Sequence, residues 1–564
     1  MPGEDASTAD SLRRRSLPAA TTGSPASAQK AGAEDAEALL ADGEDASMPL
    51  PSHRYDGRRY DKPQSTGAAL LEVVKRRNTL LGLFAGCAMF ALILRFHPNP
   101  RLSADAEAFP VGRMPAEQAL AACGTNLKRQ YGLMIDAGST GSRIHVYDFA
   151  ICNGKTILRS EGFHQLQPGL SSYKGRARAA AESLRPLMEE AVKAIPEGER
   201  SCTPVSVKAT AGLRLLGPTE SEAILTEVKR WLGAEYSFAV KDVSVMDGRD
   251  EGVYAWITIN YLLGLLDEPA RKTKKTSAAV LDLGGASTQI VFEPEFEDKS
   301  TLQPGDHVYD LKFAEQPHVL YQHSYLGFGL MQARRAANNL VGFNWLWSQA
   351  STAFEWDQIS AKDELPHPCM FRGTRKEVVL DPPGRSPVTI TAVGTGAGYE
   401  ACARTIGVTM RKDALCEIGP CAFGGVYQPS LMETFGRGTI YALSYFYDRL
   451  APLGLGVNDS SFRLSELKQL AQDVCLGPTH PSFGDKRWHP RFRSAAVPQA
   501  RTELEDRPEY CLDLTFMYLL LSLGYDLSDS RQLRIGKKID GVELGWSLGA
   551  AIAMLDNEDL QCRV

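Results

Sequence analysis

Two short segments of this chain carry acid, glycine and hydroxyl residues in the same order. The first is Asp136-Ala137-Gly138-Ser139-Thr140-Gly141-Ser142-Arg143, and the second is Asp282-Leu283-Gly284-Gly285-Ala286-Ser287-Thr288-Gln289. Apolar, strand-forming residues flank each segment, so both read as strand, tight turn, strand. Glycines let the backbone N–H groups of such a turn come close to a ligand. A nest of N–H groups with added hydroxyl donors cradles an anion. An aspartate at a strand end can hold a hard cation, directly or through its water. Either copy alone would also fit a plain β-hairpin. The matching order in two copies argues for paired sites that clamp a phosphate chain and a divalent metal between them. The two aspartates are 146 residues apart, about one domain length, which points to a duplicated domain.

The elements between the copies would complete such a cleft. Val205-Ser206-Val207-Lys208-Ala209-Thr210-Ala211-Gly212 reads as a strand running into a small-residue turn, with a helix from Thr219. Thr210 and the N–H groups after it, Ala211 first, could face the cleft, or could form an ordinary strand-to-helix turn. Met246 to Leu263 reads as a loop entering a helix, with Glu251 near the helix start. That position suits a catalytic carboxylate. It equally suits an acid favoured there by capping and the helix dipole.

The composition excludes several classes. The chain has 564 residues, 43% hydrophobic and 23% charged, which is a globular composition of several domains rather than a disordered one. The net charge of −6 leaves no basic footprint for nucleic acid. There is no GxxxxGK[ST] phosphate loop. Gly545-Trp546-Ser547-Leu548-Gly549 matches a nucleophile elbow, but no histidine follows Ser547 as that catalytic order requires. No paired CxxC suggests zinc.

The first 74 residues are rich in Ala, Ser, Gly, Asp and Glu, and read as a disordered cytoplasmic tail. Lys75-Arg76-Arg77 precedes an apolar run from Thr79 to Leu94. We read 75–96 as a transmembrane anchor and 97–123 as a luminal stem. The basic triplet keeps the N-terminus in the cytoplasm, giving a type II single-pass protein. Ala104-Asp105-Ala106 resembles a cleavage site and leaves secretion open. Apart from Cys87 in the apolar run, all ten remaining cysteines lie beyond it, as an oxidising compartment allows. Cys416–Cys421 and Cys475–Cys511 are the expected pairs. Asn458-Asp459-Ser460 is a glycosylation sequon.

Taken in order, five segments resemble the apyrase family, the nucleoside triphosphate diphosphohydrolases. They are residues 136–143, Ala209-Thr210-Ala211-Gly212-Leu213-Arg214, Asp250-Glu251-Gly252-Val253-Tyr254-Ala255-Trp256, residues 282–289, and a weaker Gly545-Trp546-Ser547-Leu548-Gly549-Ala550-Ala551. The anchor, Glu251 to Trp256, and Tyr441 to Arg449 resemble the family's Golgi guanosine/uridine diphosphatase branch.

The resemblance implies an α/β fold of two actin-like, ribonuclease-H-like domains with the active site between them. It places 124–247 and 537–564 in domain I and 248–536 in domain II. It implies hydrolysis of the terminal phosphate of GDP, UDP and, as an extension, triphosphates in the Golgi lumen; the cell surface is the alternative location. Asp136 and Asp282 would hold Ca²⁺ or Mg²⁺ through water. The turns with Gly138, Ser139, Thr140, Gly141, Ser142 and Arg143, and with Gly284, Gly285, Ala286, Ser287 and Thr288, would bind phosphate. Glu251 would be the general base, Ser287 and Gln289 would hold the attacking water, and Thr210 would support the site. Tyr445 and Tyr447 would stack the base, and Trp546 would pack near the domain junction. An exopolyphosphatase, an actin-like-fold sugar kinase and a catalytically silent scaffold are the competing readings. Oligomeric state is not legible.

Overall fold

A computed structural model describes residues 127–556, except 153–154, 267–275, 297–300, 314–315, 350–355, 357–358, 458–459 and 485. The tail, the anchor, the stem, Cys87, Cys123, Cys562 and Asn458 with Asp459 of the sequon therefore lie outside the described residues.

The two hairpins found in the sequence each open a sheet. Strand β1 (Lys128–Ala137) pairs antiparallel with β2 (Ser142–Cys152), which pairs antiparallel with β3 (Lys155–Leu166). Strands β4 (Pro204–Ala209) and β5 (Ala239–Val245) add in parallel beside β1, giving the order β3-β2-β1-β4-β5.

The second sheet repeats this plan. Strand β6 (Ala279–Leu283) pairs antiparallel with β7 (Ser287–Phe292), while β8 (Val308–Phe313) and β9 (Gln316–Leu326) continue the antiparallel side. Strands β10 (Glu364–His367), β11 (Arg375–Leu380) and β12 (Val388–Gly394) form a separate small sheet. On the parallel side, β13 (Ile440–Ser444) joins β6, and β15 (Gln532–Ile535) joins β13. Strand β14 (Ser461–Arg463) closes that edge, so the order is β14-β15-β13-β6-β7-β9-β8. Without its edge strands β14 and β8, this sheet has the same three antiparallel and two parallel strands as the first.

The helices used below are α1 (Ala211–Arg214), α2 (Pro218–Glu235), α3 (Gly248–Leu262), α4 (Leu330–Gln349), α5 (Tyr399–Thr409), α6 (Tyr445–Leu450), α7 (Leu464–Cys475), α8 (Tyr510–Leu519) and α9 (Ser547–Asp556). Three large apolar cores separate the layers. Leu133, Ile135, Val205 and Val207 pack with Leu225, Val228 and Trp231 of α2. Met134, Phe149, Val280 and Val291 pack with Val253, Trp256 and Ile257 of α3 and with Leu548 and Ile552 of α9. Leu281, Leu283, Ile290 and Phe292 face Leu330 of α4, Ile406 of α5, Leu467 of α7 and Leu514 of α8. The inner strands β1, β6 and β7 are thus buried on both faces, which explains their nearly unbroken apolar runs.

Helix α3 packs on β6, β7 and β9, and α9 packs on α3 and on β1, β2 and β3. The α3–α9 crossing is close enough to require a glycine. A Cβ on Gly549 would sit 2.2 Å from the Tyr254 carbonyl oxygen. The Gly549 N–H also donates to Thr258 Oγ1 at 2.9 Å. Gly549→Ala should therefore destabilise the protein by about 1–3 kcal/mol, as overpacking of a tight core does; urea unfolding of the variant against the parent measures it.

Both expected disulfides form, Cys416–Cys421 and Cys475–Cys511, together with a third between Cys369 and Cys402. Cys152 and Cys202 are disulfide-bonded as well. No helix among the described residues is long and apolar enough to cross a membrane.

Candidate active site

Each hairpin ends with its aspartate directed at one cleft. Asp136, next to last in β1, is 8% exposed and lies opposite Arg143 in the β1–β2 register. Arg143 Nη1 donates to Asp136 Oδ2 at 2.8 Å. Asp282 in β6 is 6% exposed and lies opposite Gln289. Thr288 Oγ1 donates to the Asp282 carbonyl at 2.9 Å, which ties the turn to its own strand.

The turns touch. A Cβ on Gly285 would lie 2.5 Å from Ser139 Oγ, and a Cβ on Gly212 would lie 2.7 Å from Ser139 Cα. The first turn is seated between two glycines because only a bare backbone leaves room for it. A cleft of about 460 Å³ opens beside this contact. Its wall includes Asp136, Gly138, Ser139, Thr140, Arg143, Thr210, Glu251, Asp282, Gly284 and Gly285.

Glu251 reaches the cleft from the first turn of α3. The helix is capped by Asp247, whose side chain accepts from the Arg249 N–H at 2.9 Å. Capping is therefore assigned to another residue, and Glu251 is turned inward against Arg214, whose Nη2 donates to its Oε2. Burial pushes the Glu251 carboxyl up to about 8, with the Asp282 and Asp136 charges adding and Arg214 opposing. Asp282 is also raised, first by burial, with Asp136 adding, while a hydrogen bond from Ser444 and the charge of Arg143 lower it.

Asp136 Oδ1 and Asp282 Oδ1 are both buried with no hydrogen-bond partner among the described residues. Two unpartnered carboxylate oxygens facing one cleft are the donor set a mostly hydrated, hard divalent cation needs. Among the described residues, no cluster of three or more His, Cys, Asp or Glu forms a metal cage. The fit is to an ion that keeps water and substrate oxygens in its shell.

The remaining expected residues divide between wall and backing. Thr210 is buried, precedes α1 and lines the cleft, with a side chain that does not cap that helix. Tyr445 and Tyr447 are half-buried and line the cleft, whereas Phe446 between them is buried in the core. Trp546 is buried in the central core and lines the cleft. Gly141, Ser142, Ala211, Ala286, Ser287, Thr288 and Gln289 do not line it. Ser287 and Gln289 bond to each other instead, Nε2 to Oγ at 2.7 Å, and Gln289 Nε2 also donates to Ser324 Oγ at 3.0 Å. Gly252 of α3 lies over them, where a Cβ would meet Gln289 Cβ at 3.2 Å.

Sequence reasoning missed many members of the wall or its support, four of them close to the turns, the base and the tyrosines. Arg214 stood in a quoted motif but had no role until its pairing with Glu251 was visible. Ser444, at the β13–α6 junction, takes φ 56° and ψ −118°, a strained conformation for a residue with a side chain. Arg449 lines the cleft, holds its guanidinium 5.0 Å from the Tyr445 ring centre, and donates Nε to Asp513 at 3.0 Å. Asp448 lines the cleft beside it. Ser444, Asp448 and Arg449 likewise stood in the quoted segment Tyr441 to Arg449, with no role assigned there.

Known proteins resemble this chain over most of the described residues. The chain is 46% identical over 458 residues to a probable guanosine-diphosphatase of Aspergillus fumigatus, covering 77% of this chain and 87% of that one. It is 42% identical over 445 residues to the guanosine-diphosphatase of Saccharomyces cerevisiae, covering 78% and 82%. It is 32% identical over 432 residues to the human nucleoside diphosphate phosphatase ENTPD5, covering 76% and 88%. The solved structure of a nucleoside triphosphate hydrolase from Neospora caninum matches the fold with a TM-score of 0.51 at 16% identity, over 78% of this chain and 96% of that one. Residues 123–564 match the GDA1/CD39 (nucleoside phosphatase) family along their whole length, and the chain belongs to that family.

Proposed function

We propose that this protein hydrolyses the terminal phosphoanhydride of nucleoside diphosphates, GDP and UDP first among them and triphosphates as an extension. The products are the monophosphate and inorganic phosphate. The observation that carries this reading is the contact of two matching anion turns at one cleft, with a buried carboxylate, Glu251, facing the space between them. The three curated relatives described above are all named as nucleoside diphosphatases, which supports a diphosphate as substrate.

Phosphoryl transfer depends on positioning and charge neutralisation more than on covalent chemistry by the protein. The N–H groups and hydroxyls at Gly138–Thr140 and Gly284–Gly285 hold the two phosphates, one turn on each. Arg143, braced by Asp136, adds positive charge at the same place. Asp136 and Asp282 would hold a hydrated Ca²⁺ or Mg²⁺, which supplies neutralisation of the phosphate oxygens when bound. Glu251 accepts the proton of the attacking water as the new P–O bond forms and the bridging P–O bond breaks. Arg214 keeps the Glu251 carboxylate oriented and favours its ionised form. The buried Ser287–Gln289 pair supports that water from behind the wall, and Thr210 supports the base.

The domain division we propose is 124–247 with 537–564 against 248–536, as two actin-like lobes. The packing of α9 on β1–β3 and of α3 on β6, β7 and β9 supports it. The disulfides support exposure of this part of the chain to an oxidising lumen. With the apolar run at 79–94 as an anchor, the proposed setting is the Golgi lumen, where hydrolysis would clear the diphosphates that glycosyl transfer releases.

The deciding experiment is phosphate release by the purified full chain in detergent, with GDP, UDP, ADP, GTP and long-chain polyphosphate, each with Ca²⁺ or Mg²⁺. Release from GDP and UDP is the expected result. Release from polyphosphate alone would overturn the reading. A second measurement tests Arg214. Its charge lowers the Glu251 pKa, so Arg214→Met should move the rising limb of the pH–kcat profile to higher pH. A limb that stays in place would remove Arg214 from this role.

A further inference from the structure

Among the described residues six carboxylates line the cleft, and five of them have a hydrogen-bond or ion-pair partner. Asp136 is paired with Arg143, and Glu251 with Arg214. Asp282 is hydrogen-bonded by Ser444 through one oxygen and feels the charge of Arg143. Glu503 is paired with Arg507 and Glu543 with Lys538. Asp448 is different. It is exposed, and no hydrogen bond or ion pair engages it among the described residues, although its charge is felt at the Arg143 guanidinium, which is hydrogen-bonded to Asp136. The adjacent cation, Arg449, cannot neutralise it because that guanidinium is buried against Asp513, which is fully buried itself.

The position of Asp448 relative to Tyr445 is set by the helix. Both belong to α6, three residues apart, so their side chains are neighbours on one face. Arg449, at the next position, holds the Tyr445 ring through its guanidinium. A base stacked on that ring would present its polar edge to a carboxylate one turn along the same helix.

We propose that Asp448 is a specificity-determining residue that selects guanine. This rests on the nucleoside diphosphate reading above. A carboxylate offers two parallel acceptor oxygens and no donor. Guanine alone among the common bases presents two adjacent donors, N1–H and the 2-amino group, on the edge opposite the sugar. Uracil presents N3–H between two carbonyls, which repel a carboxylate. Adenine and cytosine each present a ring-nitrogen acceptor at the corresponding place. An acid whose oxygens have no hydrogen-bond partner among the described residues is thus matched to one base and mismatched to the other three. Discrimination of this kind rests largely on polar groups left unpaired by the wrong substrate.

The test is steady-state kinetics of the full chain with GDP, IDP and UDP, for the parent, Asp448→Asn and Asp448→Ala. IDP lacks the 2-amino group and keeps N1–H. In the parent, kcat/KM for GDP should exceed that for UDP by about 10- to 100-fold, as expected for hydrogen bonds to a charged group, with IDP between them. In both variants the GDP:UDP ratio should fall toward one, chiefly through a higher KM for GDP. A ratio that stays within twofold of the parent value, including one preserved by equal losses on both substrates, overturns the proposal while leaving the hydrolase reading intact. A parent protein that releases phosphate from none of the three overturns both.

Discussion

Glu251→Gln should lower kcat by about 10²–10⁴-fold, the usual contribution of a positioned general base, with KM for GDP changing far less. Glutamine fills the same volume in α3 and can still face Arg214, but it cannot take a proton. The fold should survive, because helix capping rests on Asp247 and the α3 core rests on Val253, Trp256 and Ile257. A stability measurement separates this change from unfolding. In the protein stripped of divalent ions, the Glu251 carboxyl sits at about 8, above its ordinary value of 4.5. A raised carboxyl contributes stability that is fully present below the unfolded value and is lost as pH rises through the folded one. The parent should therefore lose stability between roughly pH 4.5 and 8 relative to Glu251→Gln, which has no such group. Near-normal turnover by a well-folded Glu251→Gln protein would refute the assignment.

Removal of divalent ions should abolish phosphate release, and Asp282→Asn should raise the concentration of Ca²⁺ or Mg²⁺ needed for half-maximal activity by about 10- to 100-fold, the size of effect expected where a carboxylate acts through bound water. Asp136→Asn should act in the same direction and should also free Arg143 from its partner. Titrating activity against free metal, with circular dichroism to check the fold, measures both. Activity that persists in chelator, with an unchanged metal requirement in either variant, would remove the two hairpin acids from ion binding.

Much of the cleft was legible because its parts are local. Asp136 with Arg143, and Asp282 with Gln289, are cross-strand neighbours within single hairpins. Such pairs follow from alternation and turn chemistry alone. The Cys416–Cys421 pair is local in the same sense. What stayed hidden depends on partners far apart in the chain. Arg449 meets Asp513 across 64 residues, and Arg334 reaches the same acid across 179. Cys369 and Cys402 have no spacing rule that would have joined them. The Ser287 and Gln289 side chains illustrate a subtler limit. Their membership of the motif was plain, but whether they end at the wall or behind it depends on how closely α3 lies over β7, and that distance is a tertiary property.

The seat of Ser139 between Gly212 and Gly285 fixes how closely the first turn lies against its two neighbours. Bare backbone, rather than a bound ion, sets the gauge between the hairpins that carry Asp136 and Asp282. On the proposed reading, a cation and a pyrophosphate would meet two turns already in contact, and their binding free energy would not be needed to bring the turns together. A single methyl group at position 285 would act as a shim, and its effect would register in ion affinity and turnover before it registered in the fold.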